Sequence, residues 1–299
     1  MKDFLKGEEN EKFQYFIDTL SSSNKDYKYF VNWDKVKKYH DEREMKLNTL
    51  NYLIGKEDIY EKAIELFERQ PDLLELVPIL LACRDKKITI LEINEKKYKD
   101  FDFENIDKTR IKDYVDFMEK TGLLTFIQKY IKMSLVDYVS GVEVGLDSNG
   151  RKNRSGTTME TIVENYVKKV CLDEDFEYNS QCTADYIKKK WNIEVPTDKS
   201  KRRFDFVVYS KTKDKIVIVE TNYYGSSGSK LKSVVGEFTS LNNLIKTSKD
   251  KDKIIFTWIT DGQGWIKETK PLLAAFGHVS NIINLSMLSK DNFLSLYED

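Results

Sequence analysis

The chain has 299 residues, enough to bury a large core in one or two domains. Its hydrophobic fraction of 40% and charged fraction of 33%, with only four prolines, exclude a long disordered chain and are typical of a globular protein with a highly charged surface. The formal net charge of −1 excludes a uniformly basic chain that coats polyanions. Residues 1–150 carry 25 Lys and Arg against 30 Asp and Glu, whereas residues 151–299 carry 24 against 20. A polyanionic partner would therefore bind the second half, although Lys-rich surfaces are common and charge alone leaves this open.

Cysteine and histidine usage excludes a zinc protein and favours a reducing compartment. Cys83, Cys171 and Cys182 are an odd number without metal-ligand spacing, and three free thiols fit the cytosol. His40 and His278 are too few to complete a zinc site. The first residues lack an apolar signal core, and no apolar run approaches membrane-spanning length. We therefore expect a soluble, cytoplasmic protein with no membrane partner.

Residues 1–140 predict a mainly helical region. Apolar residues recur at helical spacing through much of it. Segment 71–83 indicates an apolar helix that Pro78 kinks or splits, and segment 87–93 is a strand candidate. Nothing in this region has the spacing of metal ligands or of a catalytic nucleophile.

Residues 141–158 change character and predict a loop, because four glycines lie there among polar side chains. Three basic residues belong to the same segment: Arg151, Lys152 and Arg154. A helix then begins at Thr157 or Thr158 and carries Glu160 in its first turn. The helix dipole alone favours an acid at this position, so the local sequence leaves a functional role for Glu160 open.

Segments 203–209 and 215–222 predict two adjacent β-strands, because both are rich in β-branched and aromatic residues and a polar turn separates them. Asp205 lies in the first strand, and Glu220 and Asn222 lie on one face at the end of the second. A hairpin would bring Asp205 beside Glu220. Two such carboxylates repel each other unless a cation lies between them, and their hard oxygen atoms suit Mg²⁺.

Basic residues surround this predicted carboxylate pair. Arg203 precedes Asp205 in the first strand, and segment 223–233 after the second strand predicts a loop with two glycines and four serines. Hydrogen-bond donors and charges for a phosphate come from Ser229, Lys230 and Lys232. The loop lacks the GxxxxGK[ST] spacing of a Walker loop, so no nucleotide cofactor is expected.

The remaining elements predict an α/β architecture for residues 141–299. A helix begins at Ser233, a third strand covers residues 253–260, and a last strand covers residues 281–285 after a further helix. Helices and strands thus alternate through this half. The expected division is a helical region of residues 1–140 followed by an α/β domain of residues 141–299.

An acid on a helix, Glu160, followed by Asp205 on one strand and by Glu220-Thr221-Asn222 on the next, resembles the PD-(D/E)xK nucleases. The resemblance implies a restriction-endonuclease-like core with a mixed central sheet flanked by helices. It also implies that Asp205 and Glu220 hold Mg²⁺, that Glu160 completes the metal shell, and that Asn222 contacts the attacking water.

This chain departs from the broader pattern at Asn222, where a lysine is commoner. A lysine can stabilise a developing negative charge, whereas an amide can only orient the water by hydrogen bonds. Lys230 is then the alternative cation for the phosphate. The sequence leaves open whether Asn222 or Lys230 takes the role of the usual lysine.

A more specific resemblance is to the DpnII/MboI type of type II restriction endonuclease. Three stretches carry it: residues 146–160, Phe204-Asp205-Phe206, and residues 220–231. The turn at 261–265 and the segment at 71–84 are also similar to that family.

That resemblance implies a homodimer that cleaves double-stranded DNA at unmethylated GATC, before the G, with Mg²⁺. The helical region would clamp the DNA or form dimer contacts. DNA contacts are expected from the basic and hydroxyl residues already named: Arg151, Lys152, Arg154, Arg203, Ser229, Lys230 and Lys232.

Each of these residues also has a purely structural interpretation. Asp205 could be the solvent-facing residue of an amphipathic strand, Glu220 a charge at the end of a strand, and Asn222 the start of a turn. A non-catalytic DNA-binding protein, or a repair or RNA nuclease with the same fold, would be the rival functions. Cleavage of duplex DNA into distinct bands would separate the first function from these rivals.

Overall fold

The computed structural model describes residues 8–93, 96–197 and 202–298 of the chain, with the side chain of Lys152 left aside. Within these ranges the chain forms twelve α-helices and seven β-strands. The helices are α1 Glu9–Asp18, α2 Trp33–Leu50, α3 Ile59–Arg69, α4 Val77–Leu80, α5 Ile111–Lys120, α6 Leu123–Lys129, α7 Leu135–Leu146, α8 Gly150–Glu174, α9 Ala184–Trp191, α10 Ser229–Lys246, α11 Thr269–Phe276 and α12 Lys290–Ser295. The strands are β1 Lys87–Glu92, β2 Lys97–Asp102, β3 Glu177–Thr183, β4 Arg203–Ser210, β5 Lys215–Tyr223, β6 Ile254–Asp261 and β7 Asn281–Ile283. The predicted α/β class is confirmed.

The chain divides into two compact units. The core unit comprises Met1–Tyr27 and Lys152–Asp299, and the helical unit comprises Lys28–Arg151. The helical unit is therefore not the same as the expected helical region of residues 1–140. Residues 1–27 belong to the core unit, and the helical unit continues to Arg151. Phe16 on α1 is completely buried in the hydrophobic core of the sheet-containing unit and packs edge-on against Phe276 of α11.

The helical unit is built from α2 to α7 and from the antiparallel hairpin β1–β2. Its core is a cluster of buried aliphatic and aromatic side chains, among them Phe67, Val77 and Tyr114. The predicted helix at 71–83 is divided into a 3₁₀ helix, Pro71–Leu76, and the short helix α4. Pro78 lies within α4 rather than at the division.

The loop expected at 141–158 is helical, and this prediction was wrong. α7 continues to Leu146, a 3₁₀ turn follows, and α8 begins at Gly150. Glycine costs about 1 kcal/mol in a helix relative to alanine, but burial of the apolar face of α8, including Met159 and Val163, offsets this. Two hydrogen bonds also fix the first turns of α8. Buried Asn24 donates to the Ser155 carbonyl at 2.7 Å and accepts from the Ser155 hydroxyl at 2.9 Å.

The core unit contains a five-stranded mixed sheet with the order β3-β4-β5-β6-β7. β3, β4 and β5 pair antiparallel, whereas β5, β6 and β7 pair parallel. The central strand β5 is buried along most of its length, as expected for a strand that is covered on both faces. Phe238 of α10 packs on Phe256 and Trp258 of β6 and so covers one face.

Two differences from the expected elements affect the site. β3 was not predicted, because the sequence of Glu177–Thr183 is mostly polar and lacks an apolar alternation. The helix expected from Ser233 begins at Ser229, so Ser229, Lys230 and Lys232 lie on α10 and not in a flexible loop. In the described part of the chain, no helix has the length and apolarity that a membrane crossing requires.

Candidate active site

The register of β4 and β5 determines where the two predicted carboxylates lie. Phe206 pairs with Val219, so the next step along the hairpin brings Asp205 opposite Glu220. Opposed residues of an antiparallel pair project from the same face of a sheet, with their Cβ atoms about 5 Å apart. The neighbouring Phe204 and Phe206 are buried and occupy the other face, which fixes the direction of Asp205.

Asp205 ends the regular pairing of β4 with β5. Its Oδ2 accepts hydrogen bonds from the Thr221 backbone amide at 2.8 Å and from the Thr221 hydroxyl at 3.1 Å. Its Oδ1 accepts one from Nε2 of Gln181 on β3, at 3.3 Å. Burial raises the pKa of Asp205 above its usual range, although the Thr221 and Gln181 hydrogen bonds oppose that rise. The interpretation of Asp205 as a simple solvent-facing residue does not explain these three hydrogen bonds.

Glu220 is buried, with 7% of its surface exposed. Burial, and after it the charge of Asp205, raises the pKa of Glu220 from 4.5 to about 8. The guanidinium of Arg202 opposes this shift, since its Nε lies 3.3 Å from Glu220 Oε1. Glu220 would therefore be protonated near neutral pH unless a further cation came close to it.

Arg202 connects Glu220 to helix α10. Its second guanidinium contact is with Glu237 Oε1 at 3.1 Å, and its guanidinium carbon lies 5.7 Å from the centre of the Phe238 ring. Arg202 is itself buried, and a buried guanidinium requires such carboxylate partners because its desolvation is costly. Arg202 therefore supplies a fixed positive charge next to Glu220.

All four predicted catalytic residues and the predicted third metal ligand, Glu160, line one cleft of about 460 Å³. Residues from α8, β4, β5 and α10 line it, among them Glu160, Asp205, Glu220, Asn222 and Lys230. Burial, and after it the charge of Asp205, raises the pKa of Glu160, so the third acid is electrostatically coupled to the pair. The sequence pattern thus identified side chains that the fold brings into one cleft.

Asn222 has one defined orientation in this cleft. Its Oδ1 accepts a hydrogen bond from Nε1 of Trp258 on β6, at 2.8 Å. An indole nitrogen is a donor only, so the amide oxygen must face Trp258 and the amide NH₂ group must point away from it. Asn222 can therefore donate to a ligand in the cleft, but its oxygen is already engaged.

The predicted DNA-contacting residues separate into two groups. Arg203 and Lys230 line the cleft, and both are exposed. Three other predicted contacts on the core unit, Ser229, Lys232 and Arg154, are not among the described residues that line the cleft. Lys232 forms an ion pair with Glu268 at 3.7 Å, Ser229 is exposed at the start of α10, and Arg154 is half-buried on α8.

Two further basic residues fall outside this comparison. Arg151 belongs to the helical unit, where its Nε donates to the Phe30 carbonyl at 3.1 Å. The side chain of Lys152 lies outside the described part of the chain.

Sequence reasoning missed several residues of the cleft. Arg202, Tyr224, Ser233 and Glu237 line it beside the predicted acids. Tyr224 is nearly buried, and its hydroxyl has no hydrogen-bond partner among the described residues. Ser233 and Glu237 lie four residues apart and so share one face of α10, a spacing that the helix expected from Ser233 already contained.

The donor set of the cleft suits a divalent cation of the Mg²⁺ type. Asp205 and Glu220 offer carboxylate oxygen atoms. A cation would stabilise the charged forms of both, which burial disfavours, and would offset the charge of Asp205 that further raises the pKa of Glu220. In the residues described here, no three His, Cys, Asp or Glu side chains already converge as a metal-binding group. The carboxylate of Asp205 instead contacts Thr221, and that of Glu220 contacts Arg202.

The cleft with the three predicted acids lies at the carboxyl end of the central strand β5, in a mixed five-stranded sheet flanked by helices, and this arrangement is consistent with a nuclease-like α/β core. A family model described as DpnII restriction endonuclease matches residues 12–295, and the chain belongs to that family.

Curated relatives agree with this assignment over nearly their full lengths. The type II restriction enzyme LlaDCHI of Lactococcus lactis subsp. cremoris is 53% identical over 291 residues, which cover 96% of this chain and 95% of the relative. The type II restriction enzyme MjaIII of Methanocaldococcus jannaschii is 41% identical and covers 93% and 96%. The type II restriction enzyme DpnII of Streptococcus pneumoniae is 31% identical and covers 94% and 96%. The family resemblance stated from the sequence motifs is thereby confirmed.

Proposed function

We propose that this protein is a Mg²⁺-dependent type II restriction endonuclease that cleaves double-stranded DNA at unmethylated GATC, before the G, as a homodimer in the cytoplasm. The observation that carries the catalytic part is the half-buried Asp205 and the buried Glu220, which follow the last regular pair of β4 and β5 and line a cleft with Glu160. Family membership supports the class of reaction. The GATC site, its methylation sensitivity and the dimer rest on the DpnII/MboI resemblance.

Asp205 and Glu220 would hold the Mg²⁺, with Glu160 as a third acid on the α8 side of the cleft. The Oδ2 of Asp205 accepts two hydrogen bonds from Thr221, whereas its Oδ1 accepts one longer hydrogen bond from Gln181, so Oδ1 is the oxygen better placed to bind the cation. Bound Mg²⁺ would lower the pKa of a water and offset the charge of the phosphate.

The side chains of the cleft have separate parts in the hydrolysis. Water attacks the phosphorus atom, a new P–O bond forms, and the bond to the leaving oxygen breaks while that oxygen gains a proton. The NH₂ group of Asn222 would donate to the attacking water or to a phosphate oxygen, since its carbonyl oxygen is bound to Trp258. Lys230 would offset the charge of the phosphate from the first turn of α10, where no acidic residue occurs.

Arg203, which lines the cleft, would contact the DNA there. Further contacts with the DNA would come from Arg151, Lys152, Arg154, Ser229 and Lys232. The helical unit would clamp the DNA or form the dimer contacts. These roles agree with the net positive charge of residues 151–299, which carry 24 Lys and Arg against 20 Asp and Glu.

The test is digestion of a plasmid that contains GATC sites, prepared with and without adenine methylation, in Mg²⁺ or in EDTA. We expect distinct bands with ends before the G from the unmethylated plasmid in Mg²⁺ alone. Asp205→Asn should abolish cleavage, because the amide can still accept from Thr221 but binds a cation weakly. Asp252→Asn is the matched control. It makes the same chemical change at an exposed position in the 3₁₀ turn before β6, at the end of the sheet away from the cleft, and should cleave normally.

Four results would contradict parts of the proposal. DNA binding without any cleavage would indicate a non-catalytic DNA-binding protein, and a smear of products would indicate a nuclease without site specificity. Equal cleavage of methylated and unmethylated plasmid would remove the predicted methylation sensitivity. Normal Mg²⁺-dependent cleavage by Asp205→Asn would exclude the assigned site.

A further inference from the structure

The pairing of β3 with β4 is interrupted beside the proposed catalytic carboxylate. Ser180 pairs with Phe206 and Cys182 pairs with Phe204, so Gln181 lies opposite Asp205. That pair is missing from an otherwise regular ladder. Gln181 has a φ of 54°, which is the left-handed region of backbone conformation.

A left-handed glutamine within a strand is energetically unfavourable. Its Cβ crowds the following carbonyl, and only glycine, asparagine and aspartate occupy this region readily. Burial offers no compensation, since Gln181 is exposed. Residues held in such conformations cluster at functional sites, where another interaction determines them.

The interaction available to Gln181 is its hydrogen bond to Asp205. Its Nε2 donates to Oδ1 at 3.3 Å, while Thr221 on the other neighbouring strand holds Oδ2. The two strands that flank β4 therefore both hold the carboxylate of Asp205, β3 through Oδ1 and β5 through Oδ2. Because the glutamine amide is neutral, it orients the carboxylate without the charge by which a lysine or arginine would compete with a metal ion.

We propose that Gln181 is a positioning residue for Asp205: its left-handed backbone directs the side-chain amide onto Oδ1 and holds that oxygen in the orientation that binds the metal ion. This inference rests on the proposed function, because it assigns Oδ1 to Mg²⁺. It adds a residue from β3, a strand to which the sequence pattern gave no role, to the catalytic arrangement.

Two substitutions separate the backbone of Gln181 from its side chain. Gln181→Gly and Gln181→Ala both remove the amide, but only glycine adopts a φ of 54° without strain. In EDTA, the melting temperature of Gln181→Gly should exceed that of Gln181→Ala by about 2 °C or more. Titration calorimetry with Mg²⁺ alone should show about tenfold weaker binding for both variants, which is the usual effect of removing a residue that orients a metal ligand.

Cleavage kinetics provide a readout that a merely structural role would not change. Both variants should need more Mg²⁺ for half-maximal rate and should approach the wild-type rate when Mg²⁺ saturates, with the KM for DNA unchanged. If Mg²⁺ affinity followed melting temperature, so that glycine bound like the wild type and alanine did not, the backbone alone would matter and the proposal would be overturned. Wild-type Mg²⁺ affinity in both variants would overturn it as well.

Asp205→Asn in the same titration distinguishes the two proposals. Loss of Mg²⁺ binding in Asp205→Asn, with wild-type binding in both Gln181 variants, would refute the role of Gln181 and leave the proposed function intact. Unchanged Mg²⁺ binding in Asp205→Asn would instead refute the metal site on which both depend.

Discussion

Glu220→Gln replaces the most strongly perturbed carboxyl group of the cleft with an amide that cannot ionise. Glu220 is 7% exposed and lies opposite Asp205, and these two conditions raise its pKa from 4.5 to about 8. Glutamine has nearly the same shape, and its carbonyl oxygen can still accept a hydrogen bond from Arg202. The variant should therefore keep the fold, lose cleavage, and respond differently to pH.

The direction of the pH effect follows from the difference between folded and unfolded states. The folded protein binds a proton at Glu220 more tightly than the unfolded chain does, because the folded pKa is the higher one. This contribution to stability is fully present below the unfolded pKa of 4.5 and is lost as the pH rises through about 8. One pKa unit corresponds to about 1.4 kcal/mol, so the loss between about pH 5 and pH 8 is about 3 kcal/mol.

Urea unfolding in EDTA across this pH range measures the effect. Trp191, Trp258 and Trp265 belong to the core unit, whereas Trp33 belongs to the helical unit. Both proteins are therefore compared in a Trp33→Phe background, where tryptophan fluorescence follows the core unit. From about pH 5 to pH 8 the wild type should lose about 3 kcal/mol more of its unfolding free energy than Glu220→Gln loses.

Asp205 and Glu160 also have raised pKa values, so both proteins should lose some stability as the pH rises. The difference between the two pH profiles isolates Glu220. Parallel profiles would show that Glu220 titrates like an ordinary exposed glutamate and would refute its description as a desolvated carboxyl. Full cleavage activity in Glu220→Gln would refute its role as a metal ligand.

Three further substitutions, at two positions, test the surroundings of the cleft. Asn222→Ala should destabilise the core unit by about 1–2 kcal/mol, because it leaves the Trp258 indole N–H without its acceptor. Asn222→Asp keeps an acceptor for the indole N–H and should keep most of the stability. Both variants should nevertheless cleave DNA about a hundredfold more slowly. Equal losses of unfolding free energy for the two variants in urea would contradict the role of the Trp258 hydrogen bond. Gly264→Ala should lower stability by about 2 kcal/mol in the same assay, because its Cβ would lie 2.7 Å from the Tyr224 carbonyl oxygen and 2.6 Å from that of Ser226. A melting temperature equal to that of the wild type would show that this turn yields freely.

The strands that carry the two main acids could be predicted from the sequence because their pattern is local. The segments that became β4 and β5 are dense in β-branched and aromatic residues, and a polar turn separates them. Alternation of faces together with a hairpin then predicts that Asp205 lies beside Glu220, without any knowledge of the rest of the fold. Their pairing depends only on a short hairpin, which is the simplest connection that a chain can make.

The residues that surround these acids could not be predicted in the same way, because long-range contacts determine them. β3 is an exposed, mostly polar strand, and only its pairing with β4 reveals it. The predicted loop at 141–158 is helical because packing outweighs the low helix propensity of its glycines. Arg202 was visible in the sequence as one of three adjacent basic residues, but its burial between Glu220 and Glu237 depends on where α10 begins.

The amide at position 222, where the broader nuclease pattern favours lysine, has a physical explanation in the neighbouring strand. Trp258 on β6 pairs with Glu220, is fully buried, and donates its indole N–H to Asn222 two residues further along β5. A buried indole N–H needs an acceptor, and a lysine ammonium group is a donor only. Lysine at 222 would therefore leave the Trp258 donor unsatisfied, at a cost of about 1–3 kcal/mol. Asn222 can serve both the core and the cleft, since its oxygen accepts the Trp258 hydrogen bond and its NH₂ group remains to donate into the cleft. The positive charge that a lysine would have brought is supplied by Lys230 and Arg203, which also line the cleft.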